Sequence, residues 1–252
     1  HRGLHVRPVS VLTSDVRCTV GDDDSVQLGL CVVRSMKLSD AERIVEQRSL
    51  CPFASVADFK SRTDLSRDVL RNLAKIGALN GLAEHRRDGL WQVEQPAMSG
   101  DLFSDATPSP LPTMEPIERT NADFAGIGMT TGIHPMGLIR DQLPDIWRAT
   151  DLLEAAHGQS VWIGGLVICR QRPGSAKGFF FVSLEDETGV ANAILDPPLF
   201  ERRRLCVSQE GFLRIYGVVQ RSKDGVVMVK ARRVEGLPAG ELATRPRSHD
   251  FH

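Results

Sequence analysis

Aromatic rings and fixed cations in alternation are the chemistry-bearing feature of this chain. They concentrate in Arg170-Gln-Arg-Pro-Gly-Ser-Ala-Lys-Gly-Phe-Phe-Phe-Val-Ser-Leu-Glu-Asp-Glu-Thr-Gly189. Their chemistry is binding: a ring stacks on a planar base, and a guanidinium or ammonium group neutralises a phosphate. Counting back from Leu184 at period 2, Val182 and Phe180 face one way. Ser183, Phe181 and Phe179 face the other, beside Arg170, Arg172 and Lys177. Farther on, Lys230 and Arg232 alternate with Val229 and Ala231, so they too share a face. Such a surface suits single-stranded nucleic acid. A neighbouring domain covering the same rings is the alternative, and the spacing leaves both open.

Residues that could break bonds are scarce. Gly126-x-Gly128-x-x-x-Gly132 has no strand before it and no Lys-Ser/Thr after it, so it reads as a turn ahead of a helix, not a phosphate loop. His134-Pro135 reads as a helix start. Glu185-Asp186-Glu187 lies at a strand end beside Thr188-Gly189, where an aspartate accepts backbone N–H bonds in a turn. No nucleophile–base set and no metal-ligand spacing emerges, so no catalytic or metal residue and no cofactor is assigned. The five cysteines (18, 31, 51, 169 and 206) form no CxxC pair, which points to a reducing, cytoplasmic setting without disulfides.

These side chains need a scaffold. At 252 residues, 41% hydrophobic and 25% charged, the chain is an ordinary globular one with room for two cores. No apolar run approaches a membrane span. The net charge of −1 hides a segregation: residues 159–236 hold twelve Lys/Arg against eight Asp/Glu, whereas 95–158 hold three against nine. The basic excess falls on the segment with the aromatic strand. Capping patterns at Ser39/Glu42, Ser55/Asp58 and Ser66 predict three short helices, with Gly77 ending the third. His85 to Val93 adds another turn.

The divisions read as follows: 1–27, edge of a preceding domain; 28–94, a helical module; 95–116, a Pro/Ser/acidic linker. Residues 117–158 make a helical connector, 159–237 a β module and 238–252 a loose polar tail. The β module has strands at Val161–Cys169, Gly178–Leu184, Val190–Leu195, Phe212–Gln220 and Val226–Arg232, with a helix near Leu199–Cys206. Five strands with a helix between the third and fourth are the order of an OB barrel. The expected class is α+β and multidomain: a small all-α module, a linker, then an all-β five-stranded barrel.

Several runs then support a resemblance. Gly29-Leu-x-x-Val33-Arg, Ser39-Asp-Ala-Glu-Arg-Ile-Val, Pro52-Phe-Ala-Ser-Val-Ala-Asp58 and Gly77-Ala-Leu79 resemble the helix-hairpin-helix region of C-family bacterial DNA polymerases. Arg86-Arg-Asp-Gly-Leu-Trp91, Asp123-Phe-x-x-x-Gly128, Gly132-x-His-Pro-Met136 and the aromatic strand with Leu184-Glu-Asp-Glu-Thr-Gly189 extend it. Ser248-His-Asp-Phe-His252 is similar to the ending of the error-prone branch.

The resemblance implies a DNA-directed DNA polymerase used in damage-induced translesion synthesis, of which this chain is the C-terminal DNA-binding part. The catalytic palm and its magnesium-binding carboxylates lie upstream in that family, so the chain alone is expected to be inactive. Implied partners are single-stranded template, primer-template duplex and other mutasome subunits. The family usually has glycine where this chain has Arg34-Ser-Met-Lys-Leu38, so a backbone phosphate cradle is replaced at best by Arg34 and Lys37. Whether the helical module touches DNA or only supports structure stays open. Ser99-Gly-Asp-Leu-Phe103 is similar to clamp-docking peptides, with Ser99 where those carry Gln. The alternative function is a protein-interaction module for mutasome subunits or the sliding clamp.

Overall fold

The computed structural model describes residues 4–95, 109–174, 178–222, 224–238 and 242, with the backbone of 249–251. They form two compact units, 2–131 and 132–252. The Ser99–Phe103 peptide and Lys177 lie outside the described residues. No helix among the described residues is long and apolar enough to cross a membrane.

In the first unit, β1 (Val6–Arg7) runs parallel to β3 (Val26–Gln27), and β2 (Thr19–Val20) pairs antiparallel with β3. This segment was expected to be the edge of a preceding domain. Instead Val9, Val11 and Leu28 share one buried cluster with Ile44, Phe59, Leu73 and Leu79, and the Val11 N–H donates to the Ala78 carbonyl at 3.0 Å. Apolar burial joins it to the helices.

Four helices follow: α1 (Leu38–Leu50), α2 (Val56–Thr63), α3 (Arg67–Lys75) and α4 (Arg86–Glu94). The start of α1 corrects the predicted box: Asp40, not Glu42, closes it, accepting from the Lys37 N–H at 3.3 Å one turn earlier. The other caps follow the sequence. Ser55 Oγ accepts from the Asp58 N–H, Ser66 Oγ from the Val69 N–H, and Gly77 ends α3 at φ +79°. Val69, Leu70 and Leu73 form the buried stripe of α3.

Helix α5 (Pro116–Ile127) belongs with these helices rather than with a separate connector. It docks against α3 where Gly126 leaves room: a Cβ there would sit 2.3 Å from Ile76 Cγ2. Arg86 ties the same elements together. It donates to the Lys75 and Arg119 carbonyls and pairs with buried Asp123 at 2.7 Å, whose other oxygen accepts from Thr130 Oγ1.

The second unit opens with α6 (Pro135–Ile139) and β4 (Ile146–Trp147). The barrel strands are β5 (Ser160–Gln171), β6 (Phe180–Glu185), β7 (Val190–Leu195), β8 (Phe212–Arg221) and β9 (Val227–Gly236). Their order β5-β6-β7-β9-β8 closes because β5 also pairs with β8, which makes a five-stranded OB barrel. Helix α7 (Pro197–Gln209) lies between β7 and β8 in sequence, and Phe200 stacks on Phe180 with ring centroids 4.3 Å apart. The tail is not wholly loose: β10 (His249–Phe251) pairs parallel with Cys169–Gln171 of β5.

Asp123→Ala leaves the Arg86 guanidinium half-buried without its carboxylate. The expected loss is about 3–5 kcal/mol of stability in the helical unit, less for Asp123→Asn, read by chemical denaturation of both variants beside wild type.

Candidate nucleic-acid interface

Strand β6 presents its residues as the period predicts. Phe180, Val182 and Leu184 are buried in the barrel core; Phe181, Ser183 and Glu185 turn outward and are half-exposed, as is Phe179 just before the strand. Cross-strand neighbours extend this face: Phe181 lies opposite Ile194 of β7, and Ser183 Oγ donates to Asn192 Oδ1 at 2.7 Å.

The next strand round the barrel carries charge. Lys230 of β9 lies opposite Ile194 on one side and Val218 of β8 on the other. Lys230 and Arg232 are both exposed. A register shift between Tyr216 and Gly217 adds a residue on the β9 side, so that Arg233 surfaces as well, opposite Tyr216, while Ala231 and Val234 stay buried. Beside these cations runs a groove of about 500 Å³, lined also by Asp196, Leu199, Arg202, Val218 and Gln220. Lys230, Arg232, Arg233 and Arg202 have no ion pair among the described residues. A strip runs from a ring on β6, over apolar Ile194, onto unpaired cations. It can stack a base and follow phosphates.

Other predicted site residues stand elsewhere. Arg170 lies opposite Val182 on the inward side of the sheet, buried, and not beside Phe181. Its Nε donates to the Val207 carbonyl at 2.7 Å and its Nη2 to the Glu210 carbonyl, satisfying the carbonyl end of α7. Arg172 is exposed but leans on α7, its guanidinium 5.3 Å from the Phe200 ring and 3.7 Å from a Glu201 carboxylate oxygen. Arg34 has its backbone N–H on the Gly126 carbonyl and its Nη1 on the Ala125 carbonyl at 3.0 Å, so it finishes α5. Lys37 is exposed at the start of α1. Of the further cations of the helical module, Arg71 is paired with Glu94 and Asp68, and Lys75 is exposed.

The hairpin turn has a feature that sequence alone obscured. Ser35 sits at φ +67°, in the left-handed region that favours glycine, so the turn takes up that backbone with a serine. Met36 packs against the core.

Sequence reasoning also missed a ring pair. Trp162 of β5 lies directly opposite Tyr216 of β8, with centroids 5.3 Å apart, and Arg214 stacks 5.3 Å from Trp162 while pairing with Glu235 at 2.6 Å. Period 2 from buried Val161 and Ile163 puts Trp162 outside, and the chain's one tyrosine stands at the partner position. Arg202 was missed because it is on a helix, off the strand pattern.

The acidic run after β6 is a turn. Asp186 Oδ1 accepts from the Thr188 N–H at 2.7 Å and the Gly189 N–H at 3.0 Å, and Oδ2 accepts from the Ala149 N–H at 2.8 Å. Arg140 holds Glu187 with two bonds, at 2.6 and 2.9 Å. Burial alone would raise the Glu187 carboxyl, but the Arg140 hydrogen bond and charge outweigh it and hold it below its ordinary range. His134 Nδ1 accepts from the Met136 N–H, as a helix start requires. No group of three His, Cys, Asp or Glu that could hold a metal occurs among the described residues.

Arg170→Ala is expected to lower barrel stability by about 1.5–3 kcal/mol, the range for bonds to a charged group. Arg232→Ala should leave it within about 0.5 kcal/mol, the surface value. Urea denaturation followed through the barrel separates the two.

Comparison with known proteins accords with this geometry. Residues 3–89 match a helix-hairpin-helix motif and residues 161–236 an OB-fold nucleic acid binding domain. The chain is 38% identical over 267 residues to the error-prone DNA polymerase of Azoarcus sp. (strain BH72), covering 99% of this chain and 25% of that one. It is 41% identical to that of Anaeromyxobacter sp. (strain K), covering 92% of this chain and 21% of that one. Among solved structures, asparaginyl-tRNA synthetase from Pyrococcus horikoshii aligns with 36% of this chain and 22% of its own, at 19% identity and a TM-score of 0.31. That score adds nothing to the assignment. The chain spans about a quarter of the length of the curated relatives it matches. Over nearly all of its own length it is related to the C-terminal region of bacterial error-prone DNA polymerases, as a helix-hairpin-helix module followed by an OB barrel.

Proposed function

We propose that the barrel holds single-stranded template DNA for an error-prone DNA-directed DNA polymerase acting in damage-induced translesion synthesis. The observation that carries this reading is the cross-strand row Phe181–Ile194–Lys230 and the groove beside it. Bases stack on Phe181 and Phe179, while Lys230, Arg232 and Arg202 follow the phosphates. Every base has a π-face and every nucleotide a phosphate, so this recognition needs no particular sequence. The acids of the barrel support a binding role, because Asp186 and Glu187 are already committed to the turn and to Arg140.

The helical unit contributes less. Of the four cations considered there, Arg34 and Arg71 are held by the α5 carbonyls and by Glu94, whereas Lys37 and Lys75 are exposed and can meet a duplex. Contact through side-chain charge alone is weak and lost at moderate salt. The five free thiols fit a cytoplasmic protein. Magnesium and polymerisation belong with palm carboxylates outside these residues.

Binding of the full chain to oligothymidylate should weaken steeply with salt. Lys230→Ala should reduce the slope of log K against log[salt] by roughly 0.7, the single-strand value for one phosphate. Phe181→Ala should cost about 1–3 kcal/mol, the range for one stacked base. Fluorescence anisotropy across a salt series measures both. A wild-type chain that binds no single strand while capturing other polymerase accessory proteins would favour the interaction-module reading.

With primed template, magnesium and nucleotides, the 252-residue chain is expected to incorporate nothing above background. Primer extension by the chain, freed of any longer polymerase, checks this, and extension at a rate proportional to added chain would refute it.

A further inference from the structure

The Trp162–Tyr216 pair lies on strands that the Phe181 row does not use, and its surroundings suggest more than a brace. Three observations bear on it. The pair is half-exposed on the outer face, flanked by β4 on one side and β9 on the other. Tyr216 stands opposite Arg233, and two residues along β8 Val218 stands opposite Lys230. Lys230, Arg232 and Arg233 are exposed with no partner among the described residues. Lys230 also faces Ile194, and Ile194 faces Phe181. Registers alone therefore trace one continuous outer path: Phe181, Ile194, Lys230, Val218, Tyr216, Trp162. It crosses four inter-strand steps, roughly 20 Å along the sheet. Unpaired cations lie in its middle and rings at both ends.

Resting on the reading of the barrel as a single-strand binder, we propose that Trp162 and Tyr216 form a second base-stacking station. The strand would leave Phe181, cross the phosphate contacts of Lys230, Arg232 and Arg233, and place a later base on the Trp162–Tyr216 rings. The bland role, a cross-strand pair that only locks β5 to β8, accounts for the rings. It does not account for three uncompensated cations gathered on the strand beside them. Arg214 plays a positioning part: paired with Glu235, it stacks on Trp162 and fixes the ring's plane.

The experiment uses the full chain and labelled oligothymidylates from about four to about twelve nucleotides, within the site sizes of OB folds. The variants are Phe181→Ala, the double variant Trp162→Leu with Tyr216→Leu, and the ring-conserving Trp162→Phe. Wild-type affinity should keep rising after the shortest oligomer saturates the Phe181 end. The double leucine variant should bind the shortest oligomers like wild type and lose at least about fivefold on the long ones. Trp162→Phe should restore most of that loss, and Phe181→Ala should weaken every length.

A double variant that binds long oligomers as tightly as wild type overturns the second station and leaves the first intact. Loss at every length together with a lowered melting temperature, not rescued by Trp162→Phe, makes the pair a structural brace and also overturns it. A wild-type chain that binds no oligomer at any length removes the underlying reading instead.

Discussion

The barrel depends on one strand serving two neighbours. Ser160 to Leu166 of β5 bond to β8, and Leu166 to Gln171 bond to β6, so closure is achieved within twelve residues. A strand that changes partners midway must bend sharply where the change occurs. The change of partner falls at Leu166, between Gly164-Gly165 and the irregularity at Val167/Cys169, the kinds of position where strands bend. At Gly165 a Cβ would stand 2.5 Å from the Glu185 carbonyl oxygen, so β6 approaches too closely for any side chain. On the neighbouring strand β8, Gly217 does the same for β9, where a Cβ would meet the Lys230 carbonyl at 2.3 Å. Closed sheets have no free edges, and closure is bought here with glycines at the corners.

Closure decides which side chains face a ligand. With the inward positions filled by Val161, Ile163, Val182, Leu184, Leu195 and Ile215, the outward positions are fixed by register and not by local preference. The bulge at Tyr216/Gly217 then brings Arg233 out beside Arg232, so that the irregularity which lets β9 curve also concentrates charge on it. Fold and electrostatics share one cause. Helix α7 fits the same frame: Phe200 on Phe180 covers the core, and Arg170 reaches up from β5 to satisfy the helix's last carbonyls.

Much of this was legible in the sequence because period 2 and turn chemistry are local. Five strands, the helix between the third and fourth, the inward Phe180 and the outward Phe181 all followed from alternation, and Asp186 followed from turn chemistry. What was not legible depends on partners distant along the chain. Arg170 obeys alternation only up to the irregularity at Val167/Cys169, after which the expected face is the wrong one. Residues 1–27 read as the edge of another domain because apolar side chains such as Val9 and Val11 are covered by helices more than thirty residues later. The left-handed backbone of Ser35 had no signal in composition, since a glycine is the usual mark of such a residue and none stands there. The Trp162–Tyr216 pair joins strands about fifty residues apart, and only register brings the rings together.

The arginines make the general point. Arg170, Arg221 and Arg34 bond backbone carbonyls, and Arg140 and Arg214 pair with carboxylates, so their charge is used inside the fold. Lys230, Arg232, Arg233 and Arg202 have no such partner among the described residues. Both groups look alike in sequence, and a net-charge count gives them equal weight. They differ in what a phosphate would gain by approaching. A cation already held by a carboxylate offers little net attraction, whereas an unpaired one on a solvated strand exchanges only its counterions and water. Segregated charge along a chain is therefore a first filter. The second is which cations the fold leaves unanswered, and among the described residues of this barrel those lie along β9 and the first turns of α7.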